Sequence, residues 1–219
     1  ILGINGLAGA GRSELIRAIF GADPRTSGDI YIEGRKVDIR SPYDAYQAGI
    51  ALVPEERKSE GLMMEMTMEY NAACASLYKA TNGAGLISYK KVKRLAMNAV
   101  ERFGINPVAP LRKAKLFSGG NQQKLVVSKC VNADPRILLV DEPTRGVDVG
   151  AKVEIHTILD QMAREGKSII VVSSEMEEVL KLSDRVLVMR AGRIVAELKK
   201  GEIKQETIIG YAMGGASNG

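Results

Sequence analysis

Gly6-Leu7-Ala8-Gly9-Ala10-Gly11-Arg12-Ser13 is the first segment whose residue types and spacing suit chemistry. It follows the pattern G-x-x-x-x-G-K-[ST], except that arginine stands in the lysine position. Glycines let the backbone wrap tightly, so that its N–H groups and the start of the next helix face an anion. Ser13 adds a hydroxyl for a divalent cation such as Mg2+. A plain tight turn is the alternative this segment alone leaves open. The second segment is Ile137-Leu138-Leu139-Val140-Asp141-Glu142-Pro143, an apolar strand ending in two carboxylates. Open α/β sheets bind ligands at the carboxyl ends of their strands. There Asp141 suits Mg2+, through water, and Glu142 suits orienting or deprotonating an attacking water. A solvated strand end is the bland alternative. The third is Leu116-Phe117-Ser118-Gly119-Gly120-Asn121-Gln122-Gln123-Lys124, in which a serine and two glycines open a helix. That makes a second anion-binding terminus with no phosphate loop of its own. A helix cap explains Ser118 but not the Gly-Gly-x-Gln-Gln that follows.

These segments need elements to hold them. Ile1-Leu2-Gly3-Ile4 reads as a buried parallel strand leading into the glycine loop. Leu15, Ile16, Ile19 and Phe20 recur at helical spacing, closed by Gly21. Residues 28–39 read as short strands around Gly34, Ser41-Pro42 as a helix start, and Ile50–Val53 as a strand ended by Pro54. From about Thr67 to Cys130 the pattern is helical, with Ser88 as the cap of a helix ended by Gly104 and another helix from Ser118. Strand and helix then alternate: a strand at 137–140, a helix at 153–162, a strand at 168–173, a helix at 175–182, and a hairpin of 185–189 with 193–198 across Ala191-Gly192. Such alternation predicts an α/β fold with a mostly parallel sheet, helices on both faces, and a helical insertion.

Composition narrows the function classes. With 45% hydrophobic and 26% charged residues, the 219-residue chain is globular in type. No stretch approaches the roughly 20 apolar residues of a membrane span, and no leader pattern opens the sequence. A membrane role is therefore expected to run through a partner. Cys74 and Cys130 form no CxxC pair and read as buried free thiols, and the single His156 has no neighbouring metal ligand. The net charge of +5 comes from residues 88–115, which carry +7 against −2 elsewhere. That segment reads as a solvated or partner-facing patch, and without interleaved aromatics nucleic acid is not expected.

Taken together, the three segments resemble the ATP-binding cassette family, over essentially the whole chain. Ser118-Gly119-Gly120-Asn121-Gln122-Gln123 looks like its signature motif and Val140-Asp141-Glu142-Pro143 like its Walker B motif. The resemblance implies a P-loop NTPase fold: a RecA-like parallel-sheet core over about 1–66 and 116–200, a helical subdomain at about 67–115, a small β hairpin and a C-terminal helix at about 203–213, in one nucleotide-binding domain. It implies ATP and Mg2+ as ligands. Gly6, Leu7, Ala8, Gly9, Ala10, Gly11, Arg12, Ser13 and Glu14 would lie against the nucleotide, with Glu142, Glu175 and Glu55 at catalytic positions and Ser13, Asp141 and Glu55 at the metal. It also implies a head-to-tail dimer in which Ser118, Gly119, Gly120, Asn121 and Gln122 serve the partner cassette's nucleotide, beside the loop Gly146-Val147-Asp148.

More narrowly, the chain resembles the C-terminal cassette of tandem ATPases that drive monosaccharide import, of the ribose, galactose and xylose type. The carriers are Gly9-Ala10-Gly11-Arg12, Asp141-Glu142-Pro143-Thr144-Arg145-Gly146-Val147-Asp148 and Ser173-Ser174-Glu175-Met176. This implies a parent about twice the length, peripheral on the cytoplasmic face of the cell membrane. Its partners would be the N-terminal cassette of the same polypeptide, membrane permease subunits and, indirectly, a periplasmic or extracellular sugar-binding protein. The segment Lys58 to Met68, rich in methionine, would face the permease or fill a helix core.

Three positions depart from the family pattern. Arg12 replaces a lysine, and its planar fork is not equivalent to a point ammonium. Glu55 stands where a glutamine is usual and Glu175 where a histidine is usual. A carboxylate about 4 Å from a phosphate charge is repelled by roughly 1 kcal/mol in water and about 4 at an effective dielectric of about 20. About 1.4 kcal/mol is tenfold in rate, so the chain's own site is expected to turn over slowly. Two alternatives accompany this reading: a non-hydrolysing regulatory nucleotide-binding module, and a soluble cassette ATPase unconnected with transport.

Overall fold

The structure, a computed structural model, describes residues 1–215. Its first strand, β1 (Leu2–Gly6), is buried through Gly3, Ile4 and Asn5. Helix α1 (Arg12–Phe20) follows the glycine loop and turns Ile16 and Phe20 inward. The hairpin strands β2 (Ile30–Ile32) and β3 (Arg35–Val37) pair antiparallel as a separate two-stranded sheet. Helix α2 (Pro42–Gln47) is capped as the sequence suggests: the Ser41 hydroxyl accepts from the Asp44 amide, with Pro42 at the first position. Strand β4 (Ile50–Val53) is buried at every residue.

Helices α3 (Met68–Ala73), α4 (Tyr89–Phe103) and α5 (Gly119–Asn132) come next. The alternation then resumes with β5 (Ile137–Asp141), α6 (Val149–Arg164), β6 (Ser168–Val172), α7 (Met176–Leu182), the strands β7 (Arg185–Arg190) and β8 (Arg193–Lys199), and α8 (Gln205–Met213). The main sheet runs β4-β5-β6-β1-β7-β8. β1 is parallel to both β6 and β7, β5 is parallel to β6, and β8 runs antiparallel to β7. The α/β class with a mostly parallel sheet is therefore as expected.

Contacts divide the chain into two compact units: residues 1–52, 136–143 and 159 onward, and residues 53–135 with 144–158. In the first, Ile4, Ile16, Phe20, Leu52, Leu139, Val172 and Met189 share one core. In the second, α5 packs on α3 and α4. The sequence pattern groups residues 1–66 and 116–200 in the sheet core.

Local differences have local causes. Ser88 sits at the N-cap of α4 without a side-chain cap bond, and its amide donates to the Ala80 carbonyl at 2.7 Å. Helix α6 begins earlier than the apolar periodicity indicates, because Asp148 Oδ1 accepts from the Ala151 amide at 2.9 Å and caps it. The methionines divide: Met68 is fully buried, while Met63 and Met66 are exposed. Among the described residues no helix is long and apolar enough to cross a membrane.

Two measurements follow from the cores. Leu139 is 0% exposed, so Leu139→Ala is expected to lose about 2–5 kcal/mol of stability, read from the urea midpoint. Both cysteines are free thiols, and burial pushes the Cys130 thiol up to about 11. At pH 8 only about one Cys130 in a thousand is thiolate. Maleimide should therefore leave Cys130 unlabelled in the folded protein and label it in urea; equal rates in both states would contradict the burial.

Candidate functional site

In the first unit, the parallel order β5-β6-β1 brings three strand ends side by side. β1 delivers the glycine loop. Gly6 has no room for a side chain, since a Cβ there would lie 2.2 Å from the Met189 carbonyl oxygen. Gly9 and Gly11 take φ of 74° and 91°, the left-handed region that a Cβ disfavours. The glycine loop is exposed at Leu7, Ala8 and Gly9, and it is closed by Ala10 N–H to the Leu7 carbonyl at 3.1 Å. α1 starts at Arg12, so its first-turn amides open at the loop. Glu14 is exposed in that turn.

β5 delivers the carboxylates. The Ser13 hydroxyl donates to Asp141 Oδ1 at 3.1 Å. Two hard oxygens so placed fit Mg2+, which keeps waters and takes only one or two protein ligands beside phosphate. Among the described residues no group of three or more His, Cys, Asp or Glu forms a self-sufficient metal cage. Glu142 follows Asp141 with φ of 45°, a left-handed conformation rare for glutamate and of the kind found at functional sites. Its carboxylate is 8% exposed as a residue and is gripped on both oxygens: the Ser174 amide donates to Oε1 at 2.7 Å and the Ser174 hydroxyl to Oε2 at 3.0 Å. Burial raises the carboxyl above its usual range, against the lowering effect of Ser174 and Arg12.

Arg12 does not extend away from the protein. Its Nη1 donates to the Gly6 carbonyl at 2.7 Å and to the Ser173 carbonyl at 3.1 Å, and Nη2 lies 3.6 Å from Glu142 Oε1. The guanidinium thus ties together the ends of β1, β6 and β5. The Ser173 carbonyl also accepts from buried Asn5 Nδ2 at 2.8 Å. Glu175 is exposed at the N-cap of α7, and its amide donates to Ser173 Oγ at 3.0 Å. The sequence reading missed two residues here. Asn5 is a polar residue in an otherwise apolar strand, a legible signal. Ser174, rather than Glu175, is the residue that meets Glu142, and only the turn geometry after β6 reveals it.

The remaining expected residues gather in the second unit. Ser118 caps α5: its Oγ accepts from the Asn121 amide at 3.4 Å and from Asn121 Nδ2 at 2.9 Å. Asn121 Oδ1 in turn accepts from the Asn106 amide at 2.7 Å. Gln122 turns inward, its Nε2 donating to the Phe117 carbonyl at 3.0 Å and the Ala114 carbonyl at 3.3 Å. A Cβ on Gly120 would meet Ala151 Cβ at 2.6 Å, so the start of α5 presses on the start of α6. A cavity of about 370 Å³ opens beside Ser118, lined also by Asn121, Lys124, Asp148 and Glu154, with Lys124 and Glu154 ion-paired. Glu55 is held by Arg145, whose Nη1 also lies 3.1 Å from Glu56 Oε1.

Comparison with known proteins agrees with this geometry. Residues 1–145 match the family described as ABC transporter. The ribose import ATP-binding protein RbsA of Geobacillus kaustophilus is 46% identical over 98% of this chain and 43% of its own length. A putative ribose/galactose/methyl galactoside import ATP-binding protein of Agrobacterium fabrum is 45% identical over 98% of this chain and 42% of its own. The chain thus spans less than half the length of these relatives. Among solved structures, MJ1267, an ATP-binding cassette of an ABC transporter, superposes with a TM-score of 0.82 at 22% identity, covering 100% of this chain and 88% of that one. A dimeric post-hydrolysis cassette, MJ0796 bound to ADP and Pi, gives 0.77 at 21% identity, covering 91% and 84%. The family match runs from the first strand through the glycine loop, the capped helix α5 and both carboxylates, and on this ground the chain belongs to the ABC transporter family.

Proposed function

We propose that this chain is the second cassette of a longer ATPase that drives monosaccharide import through membrane permease subunits. The observation that carries the ATPase reading is the meeting of Ser13 Oγ with Asp141 Oδ1 at 3.1 Å beneath a glycine loop, next to a buried Glu142. Loop amides and the α1 terminus bind the triphosphate, Ser13 and Asp141 hold Mg2+, and Glu142 orients the attacking water. Bound there, the cation neutralises charge developing on the phosphates. The sugar class rests on the names of the relatives, which are ribose and galactose import ATP-binding proteins. Their length, more than twice this chain, supports a first cassette in the same polypeptide.

The site turns its own nucleotide over slowly, and three features support this. Arg12 is engaged by two carbonyls and Glu142, Glu142 is engaged at both oxygens by Ser174, and Glu175 adds a carboxylate at the neighbouring strand end. The signature helix serves a competent site in which the phosphate loop belongs to the first cassette. That arrangement suits a cassette that dimerises head to tail, with a permease and an extracellular sugar-binding protein as the further partners. A second reading, a module that binds ATP without hydrolysing it, is favoured by the Arg12–Glu142 contact.

In the intact polypeptide, Ser118→Arg is expected to lower steady-state turnover by at least about a hundredfold, and Arg12→Ala to change it by less than about threefold. The reverse ranking sinks the asymmetric assignment. Single-turnover measurement on the intact protein separates the two readings: a slow phase of phosphate release, lost in Glu142→Gln, supports hydrolysis at this cassette's site, and a fast phase alone leaves the regulatory module.

A further inference from the structure

The segment between β4 and α3 holds an arginine that no motif explains. Arg57 opens a π-helical turn, Arg57–Gly61. Its Nη1 donates to the Arg145 carbonyl at 2.7 Å and its Nη2 to the Gly146 carbonyl at 3.3 Å. The same guanidinium lies against two glycines. A Cβ on Gly119 would stand 3.2 Å from Nη2 and 3.2 Å from the Gly146 carbonyl oxygen, and a Cβ on Gly146 would stand 3.5 Å from Nη1. Gly146 also takes φ of 65°, which admits little else. Downstream, the turn is fixed along the same helix: Lys129 Nζ donates to the Gly61 carbonyl, and a Cβ on Gly61 would meet Val126 at 2.9 Å. Arg145 is itself ion-paired to Glu55 and Glu56.

Arg57 Nε is buried without a hydrogen-bond partner, while both terminal nitrogens go to backbone carbonyls. A buried unsatisfied donor costs stability, so the arrangement is not the one that stability alone favours. A planar fork holding two successive carbonyls fixes a distance and an angle that a flexible ammonium does not.

We infer that Arg57 is a positioning residue. It sets the spacing between Gly119, at the start of α5, and the loop Arg145-Gly146, and so aims Ser118 and Asp148 together at the partner cassette's nucleotide. This rests on the proposed role of the α5 terminus. Glu55 and Arg145 complete the brace from the other side, so that the charge at Glu55 holds this loop.

The test is steady-state ATP turnover by the intact polypeptide carrying Arg57→Ala, Arg57→Lys or Ser118→Arg, with nucleotide affinity measured separately. Arg57→Ala should lower kcat by about tenfold or more, the scale of one lost charge-assisted hydrogen bond, while affinity for MgATP stays within about twofold. Arg57→Lys should restore only part of the loss, because one ammonium cannot hold both carbonyls. An unchanged kcat in Arg57→Ala alone overturns the inference. An unchanged kcat in both Arg57→Ala and Ser118→Arg overturns the reading of the α5 terminus on which it rests. Should Arg57→Ala fail to fold, Arg57→Lys decides, and a kcat equal to that of the parent overturns the positioning role.

Discussion

Strands that lie parallel and adjacent must all end at the same edge of a sheet, and β5, β6 and β1 are such neighbours. That constraint puts the glycine loop, Asp141-Glu142 and Ser173-Ser174-Glu175 within side-chain reach of one another, although up to 169 residues separate them in sequence. The buried cores of β1 and β5 supply the driving force, and the polar residues at their ends are carried along. The chemistry is thus a by-product of how the sheet is ordered.

Within that edge, burial dominates the electrostatics of Glu142, and Arg12 is the cation that lies against it. Arg12 donates to two carbonyls at strand ends and sits beside a buried Glu142. A lysine's ammonium is compact and mobile, whereas the guanidinium matches several acceptors at once in a fixed plane. Here the guanidinium is shared among the Gly6 and Ser173 carbonyls and the Glu142 carboxylate. The Glu142 carboxylate, raised by burial and lowered by Ser174 and Arg12, is correspondingly committed to protein partners.

Much of this was legible in the sequence, for identifiable reasons. Strands β1 and β5 announced themselves as short apolar runs ended by glycine or by carboxylates, and α2 by Ser41-Pro42. The glycine loop carried its own spacing. What escaped notice lay in turns and long-range contacts. Ser174 meets Glu142 only because the chain bends after β6, and Arg57 meets Gly119 and Gly146 across separations of 62 and 89 residues. Glu55 read as a candidate metal ligand from its position after Val53-Pro54. In the structure its carboxylate is ion-paired with Arg145, a pairing of residues 90 apart that no local pattern encodes. Helix α5 belongs with α3 and α4 because its apolar positions face them, which periodicity reports without naming the partner.

The fit of Gly6 beneath the Met189 carbonyl has an evolutionary corollary. The turn that would cradle an anion is also a joint in the architecture: any larger residue there wedges two neighbouring strands apart before it disturbs a ligand. Purifying selection for folding alone therefore preserves the cup's backbone, while side chains around it are free to drift.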